Sequence, residues 1–230
     1  MGDLRLSPIV KEETTKERVY RQIKEAILSG QIPQNTTFTE VQLANLLNTS
    51  RTPVRESVQD LQKEGLIISI PRKGLQVKNI SSIEQEQIFL LRTSIEVDVI
   101  KKLTSVITED QINKLNNIYT EQLKAKEEND NLKFIELDQE FHSFPLKVMN
   151  YTIVEQIILN LNELTRLIGI KALKKYGRMD EVLSEHKDII LAIEKKDSDL
   201  AADALKKHLN NTGQVLEMIQ KSELQNSGDE

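Results

Sequence analysis

Ser50-Arg51-Thr52-Pro53-Val54-Arg55-Glu56 opens the segment on which the fold turns. Ser50 or Thr52 can cap a helix, and Pro53 suits its first turn, where backbone N–H groups lack intrahelical acceptors in any case. Val54, Val58 and Leu61 then recur at helical spacing, and Gly65 ends the run. With those three side chains turned inward, Arg51, Thr52, Arg55 and Gln59 occupy the opposite, exposed side at the helix start.

Working toward the N-terminus, Thr14-x-x-Glu17 is a capping-box pattern ahead of Val19, Ile23 and Ile27, and Gly30 closes that helix. After the loop Gln31-Ile32-Pro33-Gln34-Asn35, Thr39 and Gln42 repeat the box. They open a short second helix expected to pack through Leu43, Leu46 and Leu47, with Asn48-Thr49 as the turn. Toward the C-terminus, Leu66-Ile67-Ile68-Ser69-Ile70 and Leu75-Gln76-Val77-Lys78 are β-like runs. Pro71-Arg72-Lys73-Gly74 joins them as a hairpin with a basic tip. The order helix, helix, turn, helix, hairpin is that of a winged helix-turn-helix.

From Ser81 the apolar spacing is helical throughout and predicts six segments, over 82–105, 108–128, 131–149, 151–175, 180–196 and 198–222. Ser81-x-x-Glu84, Thr108-x-x-Gln111, Asn150, Asp180 and Ser198 mark several of the starts. The expectation is a mostly α chain: a winged helix-turn-helix over 1–78, a linker at 79–81, and an all-α bundle over 82–230 whose tail from Ser222 is frayed.

Composition narrows the chemistry. At 230 residues two domains are the better expectation, and with aromatics at 4% and no tryptophan, aliphatic side chains must fill both cores. The lack of cysteine excludes disulfides, thiolate metal sites and a cysteine nucleophile. The first residues have no apolar signal core, and no 18 apolar residues run together, so a cytoplasmic chain without a membrane partner is expected. The net charge of −5 divides into +3 over residues 1–78 and −8 over the remainder, a mildly basic module on an acidic one.

That division suits double-stranded DNA as a partner. Arginine can donate two bonds to the O6 and N7 of guanine, and hydroxyls at a helix start suit phosphate oxygens. Spacing alone leaves a solvated polar face equally open for Arg51, Thr52 and Arg55. Ser50-Arg51-Thr52-Pro53-Val54-Arg55-Glu56, then Leu61-x-x-Glu64-Gly65-Leu66 and Pro71-x-x-Gly74-x-x-Val77, closely resembles the GntR family of bacterial regulators across about 60 residues. The resemblance implies DNA contacts from Ser50, Arg51, Thr52 and Arg55, with Gly74 in the wing, and the position of Lys73 and Gly74 at the hairpin tip suits an adjacent groove or backbone. One departure is Val41 after Glu40, where some members carry arginine.

The three histidines, His142, His186 and His208, each interrupt an apolar stripe of the second domain, and Asp138 shares a face with His142. A buried carboxylate needs a partner or a cation. One divalent metal would serve all four residues: zinc suits such a set, as do nickel, manganese or iron, with open positions left in six-coordination. A hydrogen-bonded Asp–His pair beside two unrelated histidines is the alternative. Asp138-x-x-Phe141-His142, His186 and His208 in turn resemble the FCD effector domain of the FadR-type GntR branch, and six helices suit its shorter, VanR-like form. By that resemblance the four hold a metal, a small organic acid completes its coordination, and the protein is a homodimer, as two-half-site reading by helix-turn-helix proteins also suggests. Arg92, in a Leu-Arg-x-x-x-Glu context the family shares, is an effector clamp or else an edge salt bridge with Glu96. Pro145 removes a helix bond just after His142 and is expected to kink it. A metalloenzyme is disfavoured because every histidine would be a ligand, leaving none for proton transfer. A purely structural metal is the other alternative.

Overall fold

The computed structural model describes residues 13–34 and 36–226, with the side chains of residues 223, 224 and 226 left aside. Asn35, the first 12 residues read for a signal core and the last four residues of the tail expected to fray lie outside them. The chain divides into two compact units, residues 1–78 and 79–230.

In the first unit, α1 (Thr15–Leu28), β1 (Thr37–Phe38), α2 (Glu40–Leu46), α3 (Arg51–Lys63), β2 (Ile67–Ile70) and β3 (Gly74–Val77) follow in order. Both expected capping boxes form, Thr14 with Glu17 and Thr39 with Gln42, each fixing a helix start through reciprocal bonds. Val19, Ile23 and Ile27 of α1 are buried, as are Val54, Val58 and Leu61 of α3, and the two helices pack together. The buried Ser57 adds a polar tie, its hydroxyl donating to the Lys16 carbonyl at 3.1 Å. Ser50 is the N-cap of α3 by backbone conformation, and its side chain makes no capping bond.

Two expectations fail here. Leu46 is 82% exposed, and Ala44 takes the inward place beside Leu43. The hairpin is also part of a three-stranded antiparallel sheet in the order β1-β3-β2, with Phe38 opposite Leu75 and Ile70 opposite Gly74. Gly74 therefore opens the central strand instead of forming the tip. Its φ is +112°, and a Cβ there would lie 2.6 Å from the Phe38 carbonyl oxygen. Only glycine combines that backbone conformation with so close a neighbour. The tip is Pro71, Arg72 and Lys73, all exposed, with Arg72 at φ 64°.

The second unit is helical throughout its described residues: α4 (Ser82–Thr104), α5 (Glu109–Glu127), α6 (Asn131–Val148), α7 (Thr152–Ala172), α8 (Arg178–Glu194) and α9 (Ser198–Asn226). Ser81 and Thr108 cap α4 and α5 through boxes with Glu84 and Gln111. Asn150 and Asp180 do not cap their helices: Tyr151 precedes α7 and the left-handed Gly177 precedes α8. Helix α6 continues through the buried Pro145 to Val148, and α9 runs to Asn226, past the expected end at 222. Ile100, Leu103, Leu115, Phe134, Ile189, Ile190 and Leu209 are among the aliphatic-rich core where α4, α5, α6, α8 and α9 meet. No helix of the described residues is long and apolar enough to cross a membrane.

Gly74→Ala is expected to lower the unfolding free energy of the N-terminal unit by about 1–3 kcal/mol through strain and displacement of β1. A urea titration followed through a probe in residues 13–78 reads this, and an unchanged midpoint would refute the constraint.

Candidate functional site

Helix α3 presents Arg51, Thr52, Arg55 and Gln59 to solvent, because its Val54, Ser57, Val58 and Leu61 stripe is buried. Ser50 and Lys73 are exposed as well, and Gly74 is half-buried beneath β1. These are groups able to meet phosphates and base edges, presented on a rigid helix and a strand turn.

In the second unit the structure brings Asp138, His142, His186 and His208 together, with one ligand atom from each lying within 4.8 Å of the others. Helix α6 supplies Asp138 and His142 one turn apart, α8 supplies His186, and α9 supplies His208. The His142 and His208 Nε2 atoms are 3.1 Å apart. An Asp138 oxygen lies 3.4 Å from His186 Nε2 and another 3.9 Å from His142 Nε2. The histidines are buried, whereas the Asp138 side chain keeps 15% exposure, so it is less enclosed than its stripe suggested. Phe141 stacks on His186 at 3.9 Å and fixes that ring's plane.

What the imidazoles offer one another follows from their other nitrogens. His142 Nδ1 is 2.7 Å from Glu96 Oε2, His208 Nδ1 is 2.7 Å from Glu185 Oε2, and His186 Nδ1 is 2.8 Å from Gln122 Oε1. Gln122 Nε2 donates to the Phe134 carbonyl, which leaves its oxygen for the histidine. Burial opposes ionisation of both carboxyls, yet Arg92 and His142 bring Glu96 down to about 2, and His208 and Arg178 do the same for Glu185. A carboxylate only accepts, as does the Gln122 oxygen, so each Nδ1 carries a hydrogen and each ring turns its Nε2 into the cluster. Burial, joined by repulsion from His208 and His142, pushes the His186 pKa well below its usual value, and burial also lowers His208 despite the Glu185 bond. His186 Nε2 is buried with no hydrogen-bond partner among the described residues.

With both Nδ1 hydrogens in place, two Nε2 atoms 3.1 Å apart call for a cation between them, either a proton on one ring or a metal that all the rings share. The residues therefore fit a divalent metal: three imine nitrogens and one carboxylate, each imidazole oriented by a second group. Nitrogen donors suit zinc, nickel or iron, and the oxygen of Asp138 suits them and manganese.

Arg92 is not at an edge. It is buried, donates to Glu96 through Nε at 2.7 Å, and through Glu96 reaches His142. The salt bridge expected with Glu96 thus exists inside the bundle, where Arg92 also lines a small cavity with Asp138 and His208. Sequence reasoning missed Gln122, Glu185 and Arg178. Arg178, 1% exposed, donates twice to Glu185 at 3.0 Å, to Glu181 at 3.0 Å and to Thr212 at 2.8 Å. Gln122 left a trace as a polar residue one turn after Ile118 on the buried stripe of α5, whereas Glu185 and Arg178 left none.

Such a pairing of folds defines a class, a winged helix-turn-helix followed by an all-α helical bundle. Residues 15–77 match the description "Bacterial regulatory proteins, gntR family", and residues 87–211 match the FCD domain. The chain belongs to the GntR family, in its FCD-containing form, and is a transcriptional regulator, not an enzyme. The HTH-type transcriptional repressor RspR of Escherichia coli strain K12 is 27% identical over 209 residues, 91% of this chain and 92% of that one. An uncharacterized HTH-type transcriptional regulator of Bacillus subtilis strain 168, YdhC, is 23% identical over 201 residues, 87% of this chain and 90% of its own. Among solved structures, a putative GntR regulator from Rhodococcus sp. RHA1 superposes with a TM-score of 0.73 at 18% identity, covering 87% of this chain and 97% of that one.

Glu185→Gln removes the carboxylate that orients His208 and is expected to weaken metal binding about 10–100-fold. Competition against a chromogenic chelator measures it, and undiminished affinity would mean that Glu185 has no part in preparing the ligand.

Proposed function

We propose that this regulator binds a pseudo-palindromic operator as a homodimer and changes its affinity when a small carboxylate enters beside a divalent metal. The N-terminal unit, residues 1–78, reads DNA through Ser50, Arg51, Thr52 and Arg55 on α3, with Lys73 at the wing and Gly74 setting the wing's backbone. The bundle over 82–230 holds the metal through Asp138, His142, His186 and His208. The partner being DNA, the protein works in the cytoplasm.

One observation carries the metal reading: three imidazoles whose Nδ1 atoms are committed elsewhere, with two Nε2 atoms 3.1 Å apart and a third that makes no hydrogen bond among the described residues. A bound ion satisfies all three lone pairs and draws an anionic ligand to its remaining positions. The nitrogen-rich set favours zinc, with nickel, manganese or iron as the other candidates. Arg92 lies in the wall of the adjoining cavity, where it adds a hydrogen-bond donor for the effector while Glu96 balances its charge. The carboxylate alters DNA binding only by favouring one arrangement of the protein over another.

Arg55→Ala is expected to cost about 1–3 kcal/mol in specific binding and to relax preference at one base pair. Fluorescence anisotropy on an operator and its point variants checks this, and equal affinity for wild type and variant would remove Arg55 from the reading face. Stripping the metal with a chelator should lower the melting temperature, and small carboxylates should raise it only in metal-loaded protein. A carboxylate response that survives in fully stripped protein would refute the shared site, and a metal response without any carboxylate response would make the ion purely structural.

A further inference from the structure

Next to the histidines the bundle encloses a cavity that leaves about 30 Å³ for the centres of water-sized groups. Widened by one water radius all round, that centre space holds roughly half a dozen non-hydrogen atoms. Part of its lining is apolar, made by Phe134, Ile168, Ala172, Leu173 and Val182. The polar part is Arg92, Asp138, Thr165, Arg178, His208 and Thr212.

The polar wall has little left to give. The Thr165 hydroxyl donates to the Leu161 carbonyl and the Thr212 hydroxyl to the His208 carbonyl. Arg178 spends both terminal nitrogens on Glu181, Glu185 and Thr212, while its Nε is buried with no acceptor among the described residues. A buried guanidinium N–H without an acceptor is costly, and here it belongs to a side chain in the cavity wall.

Charge limits the ligand further. Arg92 is matched by Glu96, Arg178 by Glu185, and Glu181 by Lys175. A dication held by Asp138 and three neutral imidazoles then leaves one positive charge for the ligand to meet. A dicarboxylate brings a second negative charge with no cation to receive it. A sugar acid brings more hydroxyls than the wall can partner and more atoms than the space holds.

We propose that the ligand is an aliphatic monocarboxylate of about two to four carbons, held by Arg178 Nε–H at one carboxylate oxygen, with its tail against Ile168, Ala172, Leu173 and Val182. This rests on the metal-and-carboxylate reading above and deepens it. Arg178 is then a specificity residue, and the apolar wall measures chain length.

Calorimetric titration of the full-length, zinc-loaded protein with acetate, propionate, butyrate, hexanoate, malonate and gluconate tests it. The Kd should fall about fourfold per added methylene up to butyrate, rise again at hexanoate, and be at least about tenfold weaker for malonate and gluconate than for propionate. Val182→Ala should move the optimum to a longer acid. Arg178→Lys should weaken every alkanoate by about tenfold or more while preserving their order. If that variant does not fold, the Val182→Ala series and the wild-type ranking decide the matter. Tightest binding by malonate or gluconate, or an optimum unmoved in Val182→Ala, overturns the proposal and leaves the carboxylate reading standing. Zinc retention with no binding of any of the six acids overturns both.

Discussion

Each imidazole of the bundle can give its Nε2 lone pair to the centre only because its Nδ1 is committed elsewhere. Glu96 on α4, Gln122 on α5 and Glu185 on α8 make those commitments at 2.7, 2.8 and 2.7 Å. The cluster thus draws on α4, α5, α6, α8 and α9, and its orientation depends on five helices keeping their places. The buried ion pairs follow from the same need. Glu96 and Glu185 stay ionised in an apolar interior because Arg92 and Arg178 accompany them, so the guanidiniums belong to the centre although neither is a candidate ligand. An apolar substitute at any of these positions would pack as well and would remove the reason the rings face one another.

The N-terminal unit solves a different problem. Its core is mostly aliphatic, with Ser57 and Phe38 joining Val54, Val58 and Leu61 among its buried residues, and the face proposed to read DNA is what remains of α3 once that stripe is inside. Sequence legibility there tracked element length. The 13-residue α3 repeats its stripe often enough to settle which side is exposed. The seven-residue α2 spans two turns, too few to separate Leu46 from Ala44 as the inward residue. Strand β1 has two residues and therefore no period at all, yet it explains why position 74 must be glycine.

In the bundle, the four candidate ligands were legible because they interrupt apolar stripes, a conflict visible without coordinates. Their supports were hidden for the opposite reason. Glu185 and Arg178 are charged residues on a helix, which ordinarily face water, and only the meeting of α8 with α9 reveals that they do not. Arg92 was seen, but its burial was not. Leu91 beside it is 41% exposed, so the inward face of α4 passes through the charged pair Arg92 and Glu96 and not through its neighbouring leucine.

The same network bears on how a ligand could be felt beyond its cavity. Arg178 sits in the first turn of α8 directly after the left-handed Gly177, and reaches Thr212 on α9, while Asn211 of α9 reaches Glu185 on α8. An anion taking the free Nε of Arg178 would therefore act on a side chain that already ties α8 to α9. Helix α9 also packs along α4, the helix that begins four residues after the DNA-reading unit ends. Coupling of this kind needs two arrangements of the α4, α8 and α9 contacts that differ in affinity for the ligand, because equal affinity would shift neither. A pair of buried ion pairs is suited to that role, since a charge displaced from its partner in an apolar interior has few intermediate positions of comparable energy, and the contact is either made or remade elsewhere.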